Sequence, residues 1–139
     1  MALSFGDETP PVSAGEKVLL VEDNAEVRQV ARQLLDGLGY EVDEMQTGAA
    51  AIDELHKGGA GKYDIVFCDV VMPGGASGFD VARWISAHAP HVRGLLTSGY
   101  PDEVASSHNS DIADVILLRK PYSRLELARA LRQLLDTQA

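Results

Sequence analysis

The sequence predicts a doubly wound α/β domain built on a five-stranded parallel sheet. Two observations carry this. Short, continuous apolar runs alternate along the chain with segments whose apolar residues fall at helical spacing, as expected for strands buried on both faces and joined by helices. Polar residues capable of chemistry follow several of these runs directly, where the strand ends of such sheets form sites.

The elements follow in order. Residues 1–15, with Gly6, Pro10, Pro11, Ser13 and Gly15, read as a flexible tail or linker stub, and the folded domain is expected over 16–139. Lys17 to Val21 is the first apolar strand. Val27, Val30, Ala31, Leu34, Leu35 and Leu38 mark the first helix, with Asn24 as N-cap and Gly39 as stop. Glu41 to Met45 is the second strand, and Thr47 to Lys57 a weaker helix ended by Gly58-Gly59-Ala60-Gly61. Ile65 to Cys68 is the third strand, leading into Asp69 and a loop with Pro73, Gly74, Gly75 and Gly78. Phe79, Ala82, Ile85 and Ala89 define a third helix that stops before Pro90. Val92 to Thr97 is the fourth strand, and Pro101 to Ser110 is at most a short polar fourth helix. Val115 to Leu118 is the fifth strand. Ser123 can cap a last helix that buries Leu127, Ala128, Leu131, Leu134 and Leu135. The result is (βα)5 with right-handed crossovers, in the flavodoxin-like strand order 2-1-3-4-5.

Composition narrows the function. The 139 residues fit one domain, and 45% hydrophobic content can fill its core. A net charge of −9 gives no general attraction for nucleic acid or an anionic membrane. The lone cysteine, Cys68, can form no internal disulfide and reads as core filler. No apolar run approaches the ~20 residues of a membrane helix, and the N-terminus lacks signal-peptide character. The expectation is a cytoplasmic protein without direct nucleic-acid or membrane partners. His56, His88, His91 and His108 have no metal-ligand spacing and read as surface residues.

The chemistry concentrates at strand ends. Glu22 and Asp23 follow the first strand, Asp69 the third, Thr97 and Ser98 the fourth, and Lys120 the fifth. In the order 2-1-3-4-5 these strands are neighbours, so one pocket collects the side chains. Three nearby carboxylates repel one another. A hard divalent cation with oxygen ligands relieves that conflict, so Glu22, Asp23 and Asp69 point to Mg²⁺ or Mn²⁺. Asp69 could then attack phosphorus, with Lys120 and a strand-four hydroxyl stabilising the transferred oxygens. Taken singly, each residue has a plainer reading: a turn-capping aspartate, a helix N-terminal acid pair, a solvated lysine.

Four motifs occur in sequence: Leu20-Val-Glu-Asp-Asn24, Phe67-Cys-Asp-Val-Val-Met-Pro73, Leu96-Thr-Ser-Gly-Tyr100 and Leu118-Arg-Lys-Pro-Tyr122. Together they resemble the receiver domain of two-component response regulators, over about Lys17 to Leu135. The resemblance implies a switch phosphorylated on Asp69 by a phosphohistidine, from a histidine kinase or a histidine phosphotransfer domain. It implies Asp23 as metal ligand, Glu22 acting mainly through a metal-bound water, and the Val71 carbonyl as a further ligand. It implies Ser98, rather than Thr97, as the hydroxyl that closes on the phosphate, because Gly99 follows it. Lys120 would bind phosphate, with a cis peptide before Pro121. The family often has an aromatic residue three before the lysine. Here that position is Leu117, which leaves Tyr100 or Tyr122 as substitutes in the switch.

The resemblance also implies a regulatory domain with slow self-phosphorylation and autodephosphorylation only, not an enzyme proper. The parent chain would be a hybrid sensor histidine kinase, the alternative being a stand-alone single-domain regulator. Read-out would pass through the fourth helix and fifth strand. A homodimer through the face of the fourth helix, fifth strand and last helix is a further expectation. Three competing functions fit less well. A phosphatase of the haloacid-dehalogenase type needs an acid where Val71 stands. A flavin binder would meet repulsion from Glu22 and Asp23. A degenerate, purely protein-binding receiver would not need the complete acid, hydroxyl and lysine set.

Overall fold

The computed structural model describes residues 9–72, 75–99 and 115–136. Its elements are β1 (Lys17–Val21), α1 (Ala25–Gly37), β2 (Glu41–Met45), α2 (Gly48–His56), β3 (Ile65–Asp69), α3 (Gly78–His88), β4 (Arg93–Ser98), β5 (Val115–Arg119) and a C-terminal helix, Arg124–Asp136. The five strands form one sheet in the order β2-β1-β3-β4-β5, and every pairing is parallel. This is the predicted topology. Strands β3 and β5 each run one residue further than the sequence suggests, and β4 is shifted one residue on, from Val92–Thr97 to Arg93–Ser98. The expected polar helix over 101–110, Tyr100, Pro73, Gly74 and His108 lie outside the described residues.

Two cores sit on the two faces of the sheet. Leu19, Val21, Val66, Cys68 and Leu96 point to one face and pack with Ala51 and Leu55 of α2 and Val81 and Ile85 of α3. Val18, Leu20, Ile65, Phe67 and Leu95 point to the other and pack with Ala31 and Leu35 of α1 and Leu127 and Leu131 of the C-terminal helix. The alternation within each strand explains why the strand sequences are continuously apolar.

Side chains close the helix starts as their sequences suggest. Asn24 Oδ1 accepts the Val27 amide at 3.0 Å. Ser123 Oγ accepts the Glu126 amide at 3.0 Å while Glu126 returns the bond to the Ser123 amide at 2.8 Å, which is a capping box. Gly39, just past α1, takes φ +90°, the left-handed stop that glycine adopts without a Cβ penalty.

The apolar stripe of α1 is wider than the face it buries. Val27 is 38% exposed and Val30 57% exposed, although both fall in the helical apolar pattern. Edge strand β5 is only half buried, and Leu117 on it is 36% exposed.

Candidate functional site

The C-terminal ends of β1 and β3 carry the acids. Glu22 lies one residue beyond β1 and is 5% exposed. Its amide donates to the Met45 carbonyl at 3.1 Å, and its Oε2 accepts the Asn24 amide at 3.0 Å. Asp23 is exposed beside it. Asp69 ends β3. One ligand oxygen each from Glu22, Asp23 and Asp69 lies within 4.8 Å of the others.

Lys120, just past β5, supplies the cation nearest these acids. Its Nζ donates to Asp69 Oδ2 at 3.0 Å and stands 3.9 Å from Glu22 Oε1. Its backbone is held as well, for the Lys120 amide donates to the Ser98 carbonyl at 3.0 Å. The Lys120–Pro121 peptide is cis, as expected. Asp69 Oδ1 accepts the Val71 amide at 3.3 Å, so the backbone turn after β3 also faces the carboxylate.

The two strand-four hydroxyl residues sit differently. Thr97 pairs with Asp69 in the β3–β4 register and lines the cleft with Glu22, Asp69, Lys120 and Tyr122. Ser98 is fully buried next to it. Tyr122 packs edge-on against Phe67, with ring centroids 6.0 Å apart. Leu117 pairs with Leu96 in the sheet and does not line the cleft.

The electrostatics of this pocket are strained. Burial raises the Glu22 pKa, and the neighbouring Asp69 charge adds to it, against the lowering pull of the Asn24 amide and Lys120. Burial also pushes the Tyr122 hydroxyl up to about 12, with the Glu22 and Asp69 charges adding to the effect. The Cys68 thiol is driven up by burial and by the same two acids, which fits an inert core residue. One lysine does not balance three close carboxylates, and an all-oxygen donor set of this kind suits a hard divalent cation.

Two residues that shape the site are not evident from the sequence. A Cβ on Gly78 would stand 2.5 Å from the Asp69 carbonyl oxygen and 2.8 Å from Val70 Cα. Glycine therefore lets the start of α3 press against the backbone that carries Asp69, and the Gly78 amide donates to the Val70 carbonyl at 2.9 Å. The second is Arg28, whose Nη1 donates to the Glu22 carbonyl at 2.8 Å.

Comparison with known proteins agrees with this arrangement. The family model of the response regulator receiver domain matches residues 18–132. The chain belongs to that family. It is 31% identical over 132 residues to the sensor kinase CckA of Brucella abortus, which covers 95% of this chain but 14% of that protein. The crystal structure of a receiver domain from the hybrid histidine kinase CckA superposes with a TM-score of 0.69 at 31% identity, covering 86% of this chain and 98% of that one. The receiver domain of a Pseudomonas aeruginosa sensor histidine kinase, crystallised with magnesium coordinated in its active-site cleft, gives a TM-score of 0.75 at 26% identity, covering 89% and 100%. The chain is thus a receiver domain of two-component signalling, similar to those of hybrid kinases, and it spans a small part of the sensor kinase's length. Among the described residues, no helix is long and apolar enough to cross a membrane.

Proposed function

We propose that this receiver takes a phosphoryl group from a phosphohistidine onto Asp69 in a Mg²⁺-dependent reaction. The observation that carries the proposal is the convergence of three carboxylates within 4.8 Å with Lys120 Nζ at 3.0 Å from Asp69. In the transfer, an Asp69 oxygen forms a bond to phosphorus as the bond from phosphorus to the donor imidazole nitrogen breaks. The electron pair returns to the imidazole, and Asp69 becomes an acyl phosphate.

Asp23, Asp69 and the Val71 carbonyl would hold the cation, with Glu22 acting through a bound water. Bound there, Mg²⁺ supplies positive charge that offsets the three carboxylates and the incoming phosphoryl oxygens. Lys120 stabilises charge on a phosphoryl oxygen, and its Asp69 contact keeps it at the site beforehand. Ser98 donates to another phosphoryl oxygen, with Thr97 beside Asp69 as the neighbouring hydroxyl.

Phosphorylation adds charge at the ends of β3, β4 and β5, and a population shift carries it to the β4–β5 side. Leu117 has no ring to report that shift, so Tyr122, already against Phe67 and the cleft, is the aromatic we assign to it. A partner histidine kinase or phosphotransfer domain has an apolar place to dock. Val27, Val30 and Leu34 of α1 line an open, largely apolar depression with Lys120, Pro121 and Tyr122, a surface to which the apolar face of a helix could add. The chain would act within the cytoplasm as part of a hybrid kinase.

Acetyl phosphate with Mg²⁺, followed by intact-mass measurement, tests the proposal. Wild type is expected to gain one phosphoryl group, and Asp69→Asn or removal of Mg²⁺ with a chelator to prevent it. An unmodified wild type, under conditions that label other receivers, would overturn it.

A further inference from the structure

Arg28 sits at the end of the first turn of α1, with its side chain only 14% exposed. Its guanidinium bridges two elements. Nη1 donates to the Glu22 carbonyl at 2.8 Å, and Nε donates to Glu44 Oε1 on β2 at 3.0 Å. Glu44 is fixed from its other oxygen by Arg32 Nη1 at 2.7 Å. The carbonyl that Arg28 holds belongs to the peptide joining Glu22 to Asp23. The other side of Glu22 is tied down too, since its amide donates to the Met45 carbonyl at 3.1 Å. The end of β2 and the start of α1 thus fix the backbone of the acidic pair from both sides.

We infer that Arg28 is a positioning residue for the acidic pair: it sets the plane of the Glu22–Asp23 peptide so that both carboxylates face Asp69. The inference rests on reading that cluster as a divalent-cation site. Glu44 is what allows a cation to do this work beside acids. It engages Nε, so the guanidinium is spent on the Glu22 carbonyl and on Glu44. A planar fork can hold a carbonyl and a carboxylate together, which a single ammonium nitrogen does poorly.

The sign of the effect separates positioning from plain electrostatics. A positive side chain near a cation site disfavours the cation, so loss of the Arg28 charge alone would tighten Mg²⁺ binding. Loss of positioning would weaken it. Residues that orient metal ligands from behind typically change affinity by ~10- to 100-fold, and the lower end is expected for a contact made through backbone.

The test is a Mg²⁺ titration followed by amide NMR shifts on wild type, Arg28→Ala, Arg28→Lys and Asp23→Asn, with urea unfolding of each metal-free protein. Arg28→Ala is expected to weaken Mg²⁺ about tenfold despite removing a positive charge, with Arg28→Lys intermediate. A folded Arg28→Ala that binds Mg²⁺ as tightly as wild type, or more tightly, overturns the inference. Should Arg28→Ala not fold, Arg28→Lys decides, because it keeps the charge, and wild-type affinity in it is equally contrary. Failure of the underlying reading looks different: wild type would not bind Mg²⁺, or Asp23→Asn would bind it unchanged.

Discussion

The two ends of β1 carry the same residue type in opposite settings. Glu16 precedes the strand and Glu22 follows it. Burial works to raise the Glu16 pKa, yet Arg132, the Ala14 amide and Ser13 outweigh it and hold that carboxyl down at about 2. Arg132 Nη1 lies 2.9 Å from Glu16 Oε1 and reaches the Tyr40 hydroxyl at 3.4 Å, while its Nη2 pairs with Asp136. Asp43, midway along the neighbouring strand β2, is lowered likewise, first by the Tyr63 hydroxyl at 2.7 Å and then by Lys17 beside the start of β1. At the other end burial raises Glu22, and Asp69 adds to the conflict. One end of the sheet satisfies its charges internally and serves the fold. The other leaves an excess of negative charge, a setting that suits a hard divalent cation.

The largest expected effect that sharpens this contrast is steric. Gly78→Ala places a Cβ against the Asp69 carbonyl, and such overpacking costs about 1–3 kcal/mol or more. Urea unfolding should show the loss, and the Asp69 and Val70 amide resonances should move even without metal. Unchanged stability and shifts would mean that α3 does not press on the strand end.

Arg132→Met should come next, at about 1.5 kcal/mol, the lower end of the scale for hydrogen bonds to charged groups. The pH dependence has a definite sign. The folded Glu16 value of about 2 lies below its ordinary 4.5, so its contribution is complete above about 4.5 and is lost as pH falls toward 2. The stability gap between wild type and Arg132→Met should therefore close over that window. A gap independent of pH would assign the effect to packing of the arginine stem.

Glu22→Gln should have the smallest effect and the opposite sign. It removes one carboxylate from the crowded end while leaving an oxygen to accept the Asn24 amide. The metal-free protein should unfold at slightly higher urea, and the same change should weaken Mg²⁺ binding. A metal-free variant less stable than wild type would show that the acids at this end are balanced after all.

How much of this was legible in sequence depends on the range of the interactions. Strand β2 runs from Glu41 to Met45 as read, and Asn24 and Ser123 cap their helices, because period, caps and stops are local signals. The site was legible because each acid, hydroxyl and lysine sits at the end of a recognisable strand and the sheet order fixes which ends adjoin. Val27 and Val30 show the limit: periodicity reports a helix's apolar face but not whether anything covers it. Arg28 and Gly78 were hidden for a related reason. Their roles lie in contacts with Glu44 and with the Asp69 backbone, which only the assembled fold brings near. The preference for Ser98 over Thr97 drew on family resemblance, and the structure sets Thr97 on the cleft wall and Ser98 buried beside it.

Asp69 itself is the residue expected to accept the phosphoryl group. Borohydride reduction of the acetyl-phosphate-treated, Mg²⁺-loaded protein converts an acyl phosphate to the corresponding alcohol, and peptide mapping then locates it. Homoserine is expected at position 69, dependent on Mg²⁺ and absent from an Asp69→Asn control. Homoserine at position 23 or at any other aspartate, with position 69 unchanged, would contradict that assignment.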